Sequence, residues 1–186
     1  MDVNQALKAI RGKSAVGRIA QALVQNTSSF VHGMASDLPA QEQALTSVLE
    51  KVPLEYNATF GLGAASIRRH EWLDAINHFT NCLITRPSDA ASALNRAVAR
   101  LGYASGGGAK REDVIREMLH EAIQDLDLAQ NGASHDASIY YNRGVAKHKL
   151  GMHDSAEADL TMALKLSPDD PHTLLVRMQV HVTLRA

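Results

Sequence analysis

Nine histidines, one cysteine and a run of three glycines are the residues of this 186-residue chain whose chemistry needs an account first. A metal site needs several ligands at compatible spacing. The nearest histidine pair, His148 and His153, is five residues apart across a predicted turn, and no carboxylate or cysteine completes a set. His78 and His120 read as ordinary helix residues, and no Ser/His/Asp order or paired-carboxylate signature stands out. The glycines lie in "GYASGGGAKRED" (102–113). A phosphate-cradling loop needs Gly-Lys followed by Ser or Thr, after a strand. Here Gly108 is followed by Ala109, Lys110 and Arg111, after helical sequence. No catalytic, cofactor-binding or metal-binding residues are expected, no cofactor is implied, and the chain does not read as an enzyme.

Bulk properties narrow the partners. The formal net charge is −1, basic residues are dispersed, and the "KRED" run cancels itself, so a stripe that tracks phosphates is not expected. One cysteine excludes an intrachain disulfide framework, which favours an intracellular, cytoplasmic setting. No apolar run approaches the ~18 residues of a membrane span. Residues 1–36 carry Lys8, Arg11, Lys13 and Arg18 against Asp2. Basic content of this kind suits an organelle presequence, but an acid does not, and a basic amphipathic helix of the fold is the better reading.

The elements that must carry these residues repeat. Gly63, Ala75, Phe79, Cys82, Leu83 and Pro87 each precede Gly144, Ala156, Leu160, Ala163, Leu164 and Pro168 by 81 residues. That offset is two periods of 34 with an excess of 13. Ala122, Leu126 and Ala129 precede Ala156, Leu160 and Ala163 by 34, whereas Asn95-Arg96 precedes Asn142-Arg143 by 47. The excess therefore lies between Ala97 and Ala122. Pro53 precedes Pro87 by 34, so an eroded copy ends there. A period of 34 reads as a helix–turn–helix unit that buries its faces only by stacking on neighbours. Cys82 fills a slot where the later copy has alanine, which marks a small packing residue rather than a nucleophile.

These positions resemble the tetratricopeptide repeat family, most closely over 137–170. The family's packing pattern falls on Leu62, Gly63, Ala75, Phe79, Cys82 and Pro87, and again on Tyr140, Gly144, Ala156, Leu160, Ala163 and Pro168. The middle copy departs from it, with Arg96 in a leucine slot and Ser134 in the proline slot. The resemblance implies an all-α helix–turn–helix solenoid, a right-handed superhelix. Its expected parts are an N-terminal helical segment (1–21), a degenerate pair (22–55), repeats at 56–89, 90–136 and 137–170, and a terminal helix (171–186). The excess of 13 becomes a glycine loop plus about two extra turns on the second helix of 90–136.

The resemblance also implies a concave groove lined by first helices. Its expected partner-binding residues are Phe60, Ala64, Ile67, Leu94, Asn95, Val98, Leu101, Tyr141, Asn142, Val145 and His148. Some relatives clamp acidic chaperone tails with lysines, an arginine and asparagines. Asn95 fits one such slot, but Phe60, Ala64, Ser138 and Asn142 occupy others that the clamp needs, so a chaperone C-terminal tail is not the expected ligand. What remains is apolar, and suits an apolar protein segment, from a partner or from residues 2–33 of this chain. The sequence after "SPDDP" is apolar on more than one face and lacks a polar capping helix, so self-association or burial by neighbouring subunits through 171–186 is a further expectation. The functional reading is a non-catalytic adaptor or scaffold. The alternatives are a structural subunit of a larger assembly and a regulatory subunit of a catalytic partner.

Overall fold

The computed structural model describes residues 39, 43, 45–47, 55–106 and 111–185. The expected N-terminal helical segment, most of the degenerate pair, any contact made by residues 2–33, and Gly107 to Lys110 of the glycine loop lie outside them. Among the described residues every regular element is helical. The chain divides into two compact units, 1–85 and 86–186.

The first unit contains a helical hairpin, α1 (Tyr56–Arg68) and α2 (Trp72–Thr85). The Glu55 carboxylate starts α1 by accepting the Ala58 N–H at 2.6 Å, satisfying one of the amides that a helix N-terminus leaves open. The turn to α2 puts His70 at φ 60°, while Glu71 N–H returns to Ser66 O at 2.9 Å. Gly63 lets the two helices close: a Cβ there would stand 2.8 Å from Phe79 Cζ. Ala75, Phe79 and Cys82 are fully buried, and the Cys82 thiol points at Tyr56 O, 3.8 Å away. Cys82 is thus a packing residue of the hairpin.

The second unit stacks five helices: α3 (Ala90–Ser105), α4 (Glu112–Gly132), α5 (Ala137–Lys149), α6 (His153–Leu166) and α7 (Pro171–Arg185). Each odd-numbered helix here begins under an aspartate. Asp89, Asp136 and Asp170 accept the N–H of Ser92, Ser138 and Thr173 at 2.7, 2.9 and 2.8 Å. Gly144 repeats the close approach of Gly63, with a Cβ there 2.8 Å from Leu160 Cγ and 3.3 Å from Ala156 O. Gly151 takes φ 79° in the α5–α6 turn, a left-handed conformation that glycine adopts without strain. Helix α4 has 21 residues against 14 in α2 and α6, a difference of two turns. Where the proline slot holds Ser134, its carbonyl accepts the Tyr140 hydroxyl at 2.9 Å, and Asp136 N–H donates to Ala133 O at 3.1 Å in the same α4–α5 turn.

Between the helices of each hairpin in this unit lies an ionic layer. Asp125 on α4 receives Arg96 in bidentate fashion, Nε at 3.0 Å and Nη2 at 2.6 Å, and Arg100 Nη1 on the same carboxylate. Asp159 on α6 receives Arg143 at 2.9 and 2.7 Å and Lys147 Nζ at 2.7 Å. Only 5% and 8% of the two aspartate side chains is exposed, so each carboxylate depends on its cations. Arg100 Nε lies 3.0 Å from Glu121 Oε2, close enough for charge attraction but not aligned as a hydrogen bond. Arg143 also donates to Asp127 Oδ1 at 2.6 Å and to Gln130 on α4, clipping one hairpin to the next. Its guanidinium lies 5.5 Å from the Tyr140 ring centre. Arg96 in the leucine slot pairs with Asp125, as Arg143 in the equivalent slot pairs with Asp159.

Candidate functional site

The first helix of each hairpin carries the expected groove residues, and packing sorts them. In the first unit, Phe60 and Ile67 on α1 are half-buried while Ala64 is 9% exposed. Phe60 leans edge-on against core Phe79, ring centres 5.3 Å apart, so part of its apolar surface already belongs to the hairpin interior.

In the second unit, Leu94, Asn95 and Val98 on α3 are half-buried, and Leu101 is 7% exposed. On α5, Tyr141, Asn142, Val145 and His148 are half-buried. The two asparagines spend an amide hydrogen bond on their own helix: Asn95 Nδ2 donates to Ala91 O and Asn142 Nδ2 to Ser138 O, both at 2.8 Å. Tyr141 packs beside Val176 on the buried Ala156–Leu160–Val180 cluster. Burial, with the Asp170 charge a lesser cause, raises its hydroxyl pKa. Leu101 and Tyr141 therefore serve the core as much as any groove, and the aliphatic surface left to α3 and α5 centres on Leu94, Val98 and Val145.

His148 meets His153 across the α5–α6 turn, Nδ1 to Nδ1 at 3.1 Å. Burial lowers the pKa of His148, and the His153 and Lys149 charges act in the same direction. At that distance one ring nitrogen can donate to the other. No cluster of three or more metal-ligating side chains occurs among the described residues.

Two features escaped the sequence reading. The cations of the first helices, Arg96, Arg100, Arg143 and Lys147, turn toward Asp125 and Asp159 instead of lining an anion site. The terminal helix is also two-faced. Thr173 and Val180 are buried, whereas Leu174, Leu175, Met178 and Val182 are 48, 51, 60 and 64% exposed. A shallow hollow of about 260 Å³ lies on that outer side, lined by Glu157, Leu174, Arg177, Met178 and His181. His181 Nδ1 stands 3.4 Å from Glu157 Oε1 at its edge.

Comparison with known proteins agrees with this architecture. Residues 137–170 match the family described as Tetratricopeptide repeat. No curated protein matches the sequence. Among solved structures, a thermophilic TPR protein of Thermus thermophilus, TTC0263, is similar with TM-score 0.69 at 19% identity, covering 91% of this chain and 83% of that one. The OM64 TPR domain of Arabidopsis is similar with TM-score 0.59 at 22% identity, covering 67% of this chain and 93% of its own. The first TPR of Spaghetti (RPAP3), bound to the HSP90 peptide SRMEEVD, gives 0.59 at 20% identity over 69% and 91% of the two chains. Residues 137–170 thus match one tetratricopeptide repeat, and the described residues share the all-α helix–turn–helix fold of these structures. Among the described residues no helix is long and apolar enough to cross a membrane.

Proposed function

We propose that this chain is a non-catalytic protein-interaction domain that holds an apolar segment of a protein partner against α3 and α5. The observation that carries the reading is the pairing of half-exposed Leu94, Val98 and Val145 with cations that are turned inward. Removing apolar side chains from water favours an apolar helix or extended segment on such a face. The Spaghetti (RPAP3) domain is bound to an acidic chaperone peptide. Here Phe60, Ala64, Ser138 and Asn142 stand in slots that the acidic-tail clamp fills otherwise, and the nearby cations already have carboxylates, so such a tail is not the ligand. We read the repeat boundaries as 56–89, 90–136 and 137–170, with 171–186 as the terminal helix. An intracellular setting rests on the sole cysteine, Cys82, which is a buried thiol.

Leu94→Asp and Val98→Arg test the groove. Affinity capture of partners should fall while circular dichroism shows an unchanged helical fold; undiminished capture with the fold intact overturns the reading. A second reading is favoured by the exposed apolar face of α7. The chain is then also a subunit whose terminal helix is covered by a neighbour.

A further inference from the structure

We infer that the neighbour covering α7 is a second copy of this chain, whose own α7 lies antiparallel across it. This rests on the second reading above, not on the groove. The face in question is built by spacing. Leu174, Met178 and Val182 recur every four residues on the side turned away from buried Val180, with Leu175 beside them. That stripe is centred on Met178, with an apolar residue four positions to either side, Leu174 and Val182. A two-fold axis through Met178 brings each Met178 against its mate, and Leu174 of one protomer against Val182 of the other. An isologous contact needs such a self-complementary patch.

Charge follows the same symmetry. The start of α7 is acidic, with exposed Asp169 and the capping Asp170, and its end carries exposed Arg185. Antiparallel pairing sets the Arg185 end of one helix beside the Asp169 end of the other, twice over, and opposes the two helix dipoles favourably. Parallel pairing would place like charges together. The hollow beside Leu174 and Met178 receives apolar side chains of the mate, while Glu157, Arg177 and His181 stay at the polar edge, as the margin of an interface requires.

Sedimentation equilibrium on the full chain tests this. The wild-type protein should dimerise, and Met178→Glu should weaken the dimer by at least about tenfold. Val182→Lys is a second variant at an exposed position, and circular dichroism checks that both keep the fold. Arg185→Asp and Asp169→Arg should each weaken the dimer by roughly a fewfold, and together restore it. A wild-type chain that stays monomeric at its highest soluble concentration overturns the inference. So does a dimer indifferent to Met178→Glu and Val182→Lys, or a charge exchange without restoration. Leu94→Asp and Val98→Arg should leave dimerisation unchanged, so failure of the groove is read separately.

Discussion

The α1/α2 and α5/α6 hairpins share a repeat and differ in one interior layer. The three positions filled by Arg143, Lys147 and Asp159 in the later hairpin hold Leu62, Ser66 and His78 in the earlier one, each 81 residues before. Both make the glycine-closed hairpin, with Gly63 against Phe79 and Gly144 against Leu160. Ionic pairing is therefore not needed to form the unit. Once one charge is present, however, the others become obligatory, because an unmatched buried carboxylate or guanidinium is costly. The layer also withdraws four cations from the first helices of the second unit, which leaves the aliphatic residues to define their surface.

The strongest way to break this comparison is Asp159→Asn. It leaves Arg143 and Lys147 facing a neutral amide and should cost about 3–5 kcal/mol in chemical denaturation, whereas His78→Asn should cost less than about 1 kcal/mol. Sharpening it further, Arg143→Leu, Lys147→Ser and Asp159→His together transplant the earlier layer. The triple variant should recover most of the single variant's loss, since a matched neutral set leaves no charge stranded. Failure to recover would mean that Arg143 matters mainly through Asp127 and Gln130.

Glycine substitutions come next. Gly144→Ala should lower stability by about 1–3 kcal/mol by overpacking, because its Cβ meets Leu160 Cγ and the Ala156 carbonyl. Gly63→Ala should cost a similar amount, since its Cβ meets three atoms of the fully buried Phe79 ring. The turns, by contrast, differ. His70 sits at φ 60° where the later turn has Gly151 at φ 79°. His70→Gly should therefore raise the melting temperature, by about 1 kcal/mol in stability, and Gly151→His should lower it by a similar amount.

The smallest effect is acid sensitivity. His78 and His148 are both held below the ordinary value of 6.5, chiefly by burial. Below 6.5 the unfolded chain binds protons that the folded chain resists, so stability falls with pH until the lowered folded values are reached. Asp74 opposes the shift at His78, and His153 reinforces it at His148. Asp74→Asn should steepen the acid loss, and His153→Gln should reduce it, in melting curves collected from pH 7.5 downward.

The hairpin repeat was legible because packing is local: glycines, alanines and leucines recur at fixed intervals wherever two helices touch. The ionic layer was present in the same arithmetic, since Asp125 and Asp159 are 34 apart while Arg96 and Arg143, and Arg100 and Lys147, are 47 apart. Apolar periodicity passes over it, because its partners are separated by 29, 25, 16 and 12 residues and meet only once the hairpins close. The proposed groove rests on a set of first-helix positions that the repeat spacing supplies. Burial was not legible, so Leu101, Ala64 and Tyr141 carried the same weight in the sequence as Val98. The strained turn at His70 has no sequence signal, whereas Gly151 announces its own. The two faces of α7 need the packed Val180 as a reference, and without it the helix reads only as apolar nearly all round.

The most direct test of the central claim places a photo-crosslinking amino acid at Val98, and as a control at exposed Gln124 on α4. In native cells the Val98 position should yield defined protein adducts that the Gln124 position lacks, and Leu94→Asp in the same chain should abolish them. Equal labelling from both positions, or adducts that survive Leu94→Asp with the fold intact, would contradict an apolar binding surface on α3.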